Sequence, residues 1–327
     1  MFKALILSQV EGKTHAEIRR LNVDNLPEGE VLVDIAYSSL NYKDGLAVTG
    51  TGKIIRNFPM VPGIDFAGTV AESASDRFKP GDQVILTGWG VGEHHWGGFA
   101  QKARVKADWL VPMPAGLDAK QAMIIGTAGF TAMLCVMALE EAGVTPDSGN
   151  LVVTGAAGGV GSVSVLLLSQ LGYAVTAVSG RPETQDFLTG LGAKAFISRE
   201  EMSRPAHPLE SQNWAGAVDV VGGNTLARVL AEMQYGGTVA ACGLAGGFEL
   251  NTTVMPFILR NVGLRGVDSV SCPAERRLRA WERLAAAMPP SAYAELGCAI
   301  ALEEVPQAAK DILAGRIQGR LLVNLNL

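Results

Sequence analysis

A glycine-rich segment between two apolar patterns constrains the fold of this chain more than any other feature. Residues 155–161 carry glycine at their first, fourth, fifth and seventh positions. A run rich in β-branched residues, 151–154, precedes them, and a helical pattern, 160–171, follows. A second strand pattern comes at 174–178, so the segment predicts the turn of a strand–helix–strand unit.

The glycines in this turn allow a sharp bend and let the backbone come close to a pyrophosphate. The new helix directs free N–H groups and its positive dipole end at such an anion. We therefore predict a dinucleotide site whose contacts include Ala157, Gly158, Gly159 and Val160. The alternative is a turn whose glycines serve only the tight packing of the helix against the strand.

The end of the second strand pattern predicts which nicotinamide cofactor binds. NAD sites usually place Asp or Glu there, where the carboxylate accepts hydrogen bonds from the ribose hydroxyls. This chain has Ser179, Gly180 and Arg181 instead, and a guanidinium suits a 2′-phosphate through charge-assisted bonds. NADPH is therefore favoured over NADH. Arg199, after the third strand pattern, is either a second contact on this side or a solvated surface arginine.

Two domains are expected from the length of 327 residues and from a change of pattern near residue 122. The first part reads as short strands separated by Gly, Pro and Asp, which indicates an all-β, barrel-like domain. The second part alternates strands with helices, which indicates a parallel sheet covered on both faces. A strand pattern at 320–325 is expected to return to the first domain. The predicted division is 1–121 with 296–327, and 122–295.

Charge and cysteine content narrow the class of protein. The net charge of −5 gives no electrostatic reason to bind nucleic acid or an anionic membrane. The apolar run at the N-terminus is too short for a signal peptide, and we predict no segment long enough to span a bilayer. The four cysteines are far apart and show no CxxC pairing. We therefore expect no disulfide framework and predict the reducing cytosol as the compartment.

Four motifs, in order along the chain, resemble the medium-chain dehydrogenase/reductase superfamily in its quinone-oxidoreductase branch. They read LNYKD from Leu40, PGIDFAG from Pro62, GTAGFTA from Gly126 and GAAGGVG from Gly155. Three further segments resemble the bacterial acrylyl-CoA reductase subgroup, and these are residues 52–60, 87–98 and 255–260. The resemblance implies a GroES-like β-barrel domain plus a Rossmann domain, with the active site in the cleft between them. It also implies hydride transfer from NADPH to an activated double bond, and a homodimer.

The residues at the zinc positions of this superfamily argue against a metal. Zinc alcohol dehydrogenases bind the catalytic ion through a Cys, a His-Glu pair and a second Cys. Asn41 stands where the resemblance places the first Cys, and Ile64 and Asp65 stand where it places His-Glu. An amide and an aliphatic side chain cannot replace a thiolate and an imidazole at a tetrahedral zinc site. His94 and His95 are more simply explained by a packed or hydrogen-bonded loop.

Reduction of a conjugated thioester needs hydride at the β-carbon, a proton at the α-carbon and donors for the thioester oxygen. The resemblance places Asn41 and Tyr42 in the cleft and makes Tyr42 the candidate acid, or a ring that packs on the nicotinamide. Asp65 and Asp44 are candidates to orient such donors. Each has a simpler alternative: Tyr42 as a half-buried aromatic, Asp65 as a turn cap or arginine partner, and Asp44 as a helix cap near Gly45.

The parallel sheet predicts further cofactor contacts, because ligands lie outside the carboxyl ends of the strands. This places Leu244 and Ser269 near the nicotinamide, and the resemblance adds Ile258. Cys242 has no His neighbour and is expected to be a buried strand residue rather than a nucleophile. The side chains at positions 53 and 56, a lysine and an arginine, either contact the phosphates of coenzyme A or belong to a solvated loop.

The resulting prediction is a zinc-free, NADPH-dependent oxidoreductase that acts on a CoA thioester, reducing acrylyl-CoA to propanoyl-CoA. The enzymatic alternatives are an NADPH quinone reductase and an enoyl thioester reductase for longer chains. The alternative outside enzymes is a catalytically silent NADPH-binding protein of the sensor or crystallin-like kind. The polar set Asn41, Tyr42 and Asp65 argues against this last alternative.

Overall fold

The computed structural model describes residues 1–327 and contains fifteen strands and ten α-helices. The strands are β1 (Phe2–Val10), β2 (Lys13–Leu21), β3 (Val31–Leu40), β4 (Asp65–Ser73), β5 (Gln83–Thr87), β6 (Lys102–Val105), β7 (Leu110–Pro112), β8 (Leu151–Val153), β9 (Val175–Ser179), β10 (Ala195–Ser198), β11 (Trp214–Asp219), β12 (Met233–Ala241), β13 (Gly263–Gly266), β14 (Gly297–Ala301) and β15 (Arg320–Asn324). The helices are α1 (Tyr42–Thr49), α2 (Ala119–Glu141), α3 (Gly159–Gln170), α4 (Gln185–Gly190), α5 (Arg199–Ser203), α6 (Gly223–Ala231), α7 (Met255–Arg260), α8 (Ala274–Ala287), α9 (Ala292–Leu296) and α10 (Val305–Leu313).

Packing divides the chain into two compact units. The first comprises Met1–Thr127, Ser269–Ala286 and Leu296–Leu327, and the second comprises Ala128–Asp268 and Ala287–Glu295. The two units depart from the predicted ranges at 122–127 and 269–286, which both pack in the first unit. That the ranges 1–121 with 296–327 and 122–295 are two domains with separate functions stays a prediction.

The first unit is built on a mostly antiparallel sheet of seven strands in the order β14-β15-β3-β4-β5-β7, with β6 also paired to β3. The hairpin of β1 and β2 forms a separate two-stranded sheet. The core of the first unit is made of inward-facing apolar side chains such as Val33, Phe66, Leu86 and Phe99, all fully buried. The predicted return of the C-terminal strand is confirmed, because β15 pairs with β3.

The second unit contains a parallel sheet of six strands in the order β10-β9-β8-β11-β12-β13. The predicted parallel sheet is therefore confirmed. Its central strands are continuous apolar runs because helices cover both faces, and Val152, Ala217 and Val239 have no exposed surface. The strand order reverses between β8 and β11, and such a switch point is where doubly wound sheets bind ligands, beyond the carboxyl ends of their strands.

One prediction about the helices needs correction. Helix α2 spans 23 residues with a break at Gly126 (φ 51°), and by length and composition it is apolar enough to cross a membrane. The prediction that no segment is long enough was therefore wrong. However, 94% of its most apolar 18-residue window is buried inside the protein, as in a core helix.

Candidate active site

The glycine turn of the second unit joins β8 to α3, as the sequence predicts. Gly155 has φ 57°, a left-handed conformation that favours glycine. A Cβ at Gly161 would lie 2.3 Å from the carbonyl oxygen of Gly155, so this glycine allows the helix to pack on the turn. Helix α3 begins at Gly159 with Gly158 as its N-cap. Because the first N–H groups of a helix lack a carbonyl four residues back, this turn suits a pyrophosphate.

The loops that follow β8, β11 and β12 lie together at the carboxyl ends of these strands. A Cβ at Gly155 would lie 2.6 Å from a methyl of Val220, which follows β11. The main chain after β12 runs alongside, and Gly246 donates its N–H to the carbonyl of Val221 at 2.8 Å. Leu244 lies on this loop and is 64% exposed. The structure therefore brings Leu244 to the sheet edge that carries the glycine turn.

A buried aspartate that the sequence analysis missed holds these loops in place. Asp219, the last residue of β11, accepts hydrogen bonds from the Thr154 hydroxyl at 2.7 Å and from the Gly222 N–H at 2.8 Å. Burial raises the pKa of its carboxyl, and these hydrogen bonds oppose that shift. The N–H of Cys242 donates to the Asp219 carbonyl at 2.9 Å. One carboxylate therefore connects the ends of β8 and β11, a role that follows from spatial contact and has no local sequence signal.

The end of β9 carries the residues predicted to select the cofactor. The Ser179 hydroxyl accepts the Arg181 N–H at 3.2 Å, which fixes the direction of the chain after the strand. The guanidinium of Arg199 lies over Gly180, where a Cβ would come within 2.7 Å of Nε. Arg199 lies close to this strand end because Ser198, which precedes it in the chain, is in register with Ser179 of the neighbouring strand β9. Both predicted arginines thus flank one strand end, a cationic edge that suits a phosphate.

Two other predictions in the second unit have different outcomes. Ile258 lies on α7 with 71% of its surface exposed, so it is accessible. Cys242 was expected to be a buried strand residue, but it is half-buried and follows β12. The reason is that β12 ends at Ala241, where the chain turns to run beside the loop after β11.

A buried carboxylate forms the centre of the first unit's polar cluster. Asp65 has no exposed surface and accepts hydrogen bonds from the Ser39 N–H at 2.9 Å and the Ser39 hydroxyl at 2.8 Å. Its second oxygen accepts from the Asn41 side-chain amide at 3.0 Å and from the Thr127 N–H at 2.9 Å. A carboxylate that accepts this many hydrogen bonds is held in one orientation. Asp65 and Asn41, both predicted as catalytic, are therefore brought together in direct contact.

Arg320 supplies the positive charge of this cluster, and the sequence analysis did not single it out. One terminal nitrogen donates to the Ser39 hydroxyl at 2.7 Å, and Nε donates to the Ile124 carbonyl at 3.0 Å. Burial lowers the pKa of the guanidinium, while the charges of Asp65 and Asp44 oppose that shift. Gly126 makes room for it, since a Cβ there would lie 2.6 Å from an Arg320 nitrogen.

The cap of α1 links this cluster to the candidate acid. Asp44 accepts the N–H groups of Asn41 at 2.9 Å and of Ile64 at 3.0 Å, so it caps the helix as one sequence alternative proposed. Burial, together with the neighbouring charge of Asp65, raises the pKa of the Asp44 carboxyl to about 7. Tyr42 is the first residue of α1, and its side chain is 42% exposed. The buried cluster therefore fixes the helix end that presents Tyr42.

The remaining predicted residues of the first unit lie on loops. The lysine at position 53 and the arginine at position 56 are exposed in the segment after α1. Ser269 is half-buried, and its carbonyl accepts a hydrogen bond from Arg277 at 3.2 Å. Ser269 thus packs in the first unit, whereas the glycine turn belongs to the second. That residues of both units form one site stays a prediction.

The zinc positions of the superfamily hold a hydrogen-bonded pair in this chain. Asn41 and Asp65, at the positions of the first Cys and the Glu, bond to each other. Across residues 1–327, no three His, Cys, Asp or Glu side chains are grouped so that they could hold a metal ion. His95 is packed edge-on against Trp109, and its Nε2 lies 2.7 Å from the Arg104 carbonyl. The sequence interpretation of a packed, hydrogen-bonded loop is confirmed for His95.

Two family models match the two parts of the chain. The alcohol dehydrogenase GroES-like domain matches residues 27–115, and the zinc-binding dehydrogenase domain matches residues 159–286. The predicted combination of a GroES-like domain with a Rossmann domain is therefore confirmed. The chain belongs to the medium-chain dehydrogenase/reductase superfamily, in its quinone-oxidoreductase-like branch.

Two relatives that match this chain over their full length are named as acrylyl-CoA reductases. The probable acrylyl-CoA reductase AcuI of Escherichia coli is 63% identical over 99% of this chain and 100% of its own length. Acrylyl-CoA reductase AcuI of Ruegeria pomeroyi is 56% identical over the full length of both.

Solved structures of similar proteins contain both kinds of nicotinamide cofactor. The YhdH oxidoreductase of Salmonella enterica, in complex with NADP, is 61% identical, with a TM-score of 0.97 over 98% of this chain and 99% of that one. The YhfP protein of Bacillus subtilis, with NAD bound, is 46% identical, with a TM-score of 0.96 over 99% of each chain.

Proposed function

We propose that this protein reduces the α,β double bond of acrylyl-CoA to give propanoyl-CoA, with NADPH as the hydride donor and without zinc. The observation that carries the proposal is the full-length likeness to the acrylyl-CoA reductases, at 63% identity for the Escherichia coli protein. The cationic edge at Arg181 and Arg199 supports NADPH as the cofactor. The hydrogen-bonded pair of Asn41 and Asp65, where zinc relatives have metal ligands, supports a zinc-free reaction.

The residues present fit a dinucleotide with a 2′-phosphate. Ala157, Gly158, Gly159 and Val160 hold the pyrophosphate at the first turn of α3, where N–H groups and the helix dipole favour an anion. The 2′-phosphate is held by Ser179, Gly180, Arg181 and Arg199. We assign Leu244, Ile258, Ser269 and Tyr42 to the nicotinamide end. When bound, NADPH supplies the hydride that the β-carbon of the substrate receives.

Tyr42 is the proposed catalytic residue of the chain itself. Its phenol donates a hydrogen bond to the thioester oxygen, where negative charge develops, or delivers the proton to the α-carbon. Asn41 and Asp65 were predicted as catalytic, and their bonds support a contribution through Tyr42. Asp65 orients Asn41, Asn41 precedes α1, and the fixed helix end holds Tyr42 in place. A donor held in advance loses little entropy when the substrate binds.

Coenzyme A would be bound by its phosphates. The exposed lysine at position 53 and arginine at position 56 offer two positive charges close in sequence to α1, and we propose that they contact those phosphates. A net charge of −5 makes such a local pair the relevant attraction rather than the overall field.

The assembly and the compartment are further parts of this proposal. β13 is the last strand of the parallel sheet, so its outer edge has no strand partner within the chain. Leu264, on β13 itself, is 37% exposed, and Leu259, on the preceding helix α7, is 55% exposed. An open edge with apolar neighbours favours pairing with a second copy, which supports a homodimer. The four free cysteines support a reducing, cytoplasmic location.

A steady-state assay with the purified protein tests the substrate. We expect NADPH oxidation with acrylyl-CoA, with a higher kcat/KM than with longer enoyl-CoA thioesters or with quinones, and slower turnover with NADH. The comparisons with quinones and with NADH are informative because the similar YhfP protein is named a putative quinone oxidoreductase and has NAD bound. Turnover of quinones without turnover of acrylyl-CoA would contradict the proposal. Chelation with EDTA should leave the rate unchanged.

A further inference from the structure

A buried arginine on α8 contacts two separate segments of the first unit. Arg277 is 1% exposed and lies on the apolar face of the helix with Ala280, Trp281 and Leu284, all fully buried. A guanidinium buried among apolar neighbours is costly unless its N–H groups find acceptors. Its position is therefore determined by hydrogen bonds, which point in two directions.

One nitrogen of Arg277 binds the end of β5. It donates to the Thr87 carbonyl at 2.6 Å and to the Thr87 hydroxyl at 2.8 Å. The guanidinium also lies over the ring of Trp89, 5.0 Å from its centroid. Trp89 has φ 59°, a left-handed conformation that is unfavourable for a bulky side chain, so its neighbours must hold it there.

The other terminal nitrogen of Arg277 binds three main-chain carbonyls in the segment 269–272. It donates to Ser269 and Val270, both at 3.2 Å, and to Cys272 at 3.4 Å. The two segments also touch directly, because the backbone N–H of Trp89 donates to the Val270 carbonyl at 3.0 Å. Ser269 is the first residue after the chain leaves the second unit. One guanidinium therefore fixes the main chain at Ser269 to the end of β5.

We propose that Arg277 is a positioning residue for hydride transfer. It acts by holding Ser269 in the orientation that the nicotinamide end of the cofactor requires, and this role depends on the proposed function. Only a planar group with donors in several directions can bind all these oxygens together. The compact ammonium of lysine can bind some of them. An error of about 1 Å in the placement of a reacting group costs roughly 100-fold in rate.

The experiment compares Arg277→Lys and Arg277→Met with the unmodified protein in two measurements. The kcat for hydride transfer is read with whichever acceptor the protein reduces, so a wrong substrate leaves this test intact. Calorimetry measures the Kd of NADPH and of 2′-phospho-ADP-ribose, which lacks the nicotinamide. We expect kcat to fall by roughly 100-fold for Met and less for Lys. Any loss of affinity should be confined to NADPH.

A control and a milder variant separate this role from a purely structural one. Arg228 is another buried arginine, paired with Glu232 at 2.6 Å in the second unit, and Arg228→Lys should lower stability without changing the ratio of the two Kd values. Thr87→Val removes one acceptor of Arg277 and should give a smaller change of the same kind, even if the Arg277 variants fail to fold. An unchanged kcat, or equal weakening of both ligands, would overturn the inference.

Discussion

Asp65 illustrates how a polar residue near an expected site can act on other residues of the protein. Its place in the sequence predicts a catalytic role, with pairing to an arginine as the simpler alternative. The structure places Asp65 among donors from Ser39, Asn41 and Thr127, with the charge of Arg320 nearby. Its carboxylate has no exposed surface, which favours a role in orienting Asn41 and Tyr42. The direct catalytic role of Asp65 and Asn41 stays a prediction.

Replacing Tyr42 with Phe tests the proton donor. The change removes one hydroxyl from a side chain that is 42% exposed, so the fold should be unaffected. We expect kcat with acrylyl-CoA to fall by roughly 100-fold, as is usual for loss of a general acid, while NADPH binding changes little. Tyr235→Phe, at a tyrosine 73% exposed in β12, is the matched control. An unchanged kcat would remove Tyr42 from the mechanism.

Replacing Arg181 with Ala tests the choice of cofactor. Loss of charge-assisted bonds to the 2′-phosphate should weaken NADPH by roughly 10- to 100-fold. NADH has no 2′-phosphate, so its affinity should change by less than about 3-fold. Arg204→Ala, at an exposed arginine of the same unit, should affect neither. Equal effects on both cofactors in a titration calorimeter would refute the argument for a phosphate at this strand end.

Asp44 predicts a pH-dependent stability. Its pKa in the folded protein, about 7, lies above the ordinary carboxyl value of 3.8, because burial disfavours the charged form. The folded state therefore binds the proton more tightly, and stability relative to an Asp44→Asn variant should fall as the pH rises from about 4 to about 7. The slope is at most about 1.4 kcal/mol per pH unit.

Urea unfolding of the two proteins at several pH values measures this slope. Asp76→Asn, at an exposed position, is the control and should run parallel to the unmodified protein. A stability difference between the unmodified protein and Asp44→Asn that is constant across this range would contradict the prediction.

Among the structural elements, the glycine turn contains one glycine that serves packing and another that serves binding. A Cβ at Gly161 meets the turn's own backbone at 2.3 Å, whereas one at Gly158 meets its nearest atom at 3.4 Å, an ordinary contact. Gly161→Ala should therefore lower the free energy of unfolding by about 1–3 kcal/mol. Gly158→Ala should leave stability nearly unchanged but weaken NADPH, because the methyl stands where the pyrophosphate approaches. Thermal unfolding and calorimetry distinguish these outcomes. In that case the predicted role in cofactor binding applies to Gly158, and the alternative role in packing applies to Gly161.

Strands with strong apolar patterns were predictable from the sequence, and several others were not. The strands β8, β9 and β11 are apolar runs whose pattern shows in the sequence. β2 escaped prediction because its sequence, KTHAEIRRL, is mostly polar and it pairs only with β1 at the surface. β7 ends in a proline at its third residue, and β14, with the sequence GCAIA, has no fully buried residue. Such strands are fixed by the partners they pair with, which local periodicity does not report.

At the scale of the whole molecule, the open edge of β13 predicts the oligomer. Leu264→Glu puts a charge on that edge and should shift the protein from dimer to monomer in sedimentation velocity. Leu278→Glu, on α8 and 39% exposed, is a control matched to the 37% exposure of Leu264. A dimer that survives Leu264→Glu would place the interface elsewhere on the surface.

The sequence by itself determined the two-part architecture, the dinucleotide turn and the absence of an acidic residue at the end of β9. These features are local, since each depends on residues that are close together along the chain. Tertiary structure alone decided what the buried polar residues do. Arg320 reaches Ser39, and Arg277 reaches Thr87, across 281 and 190 positions of the chain. A buried charge must find its acceptors wherever the fold brings them, and no pattern in neighbouring residues records that choice.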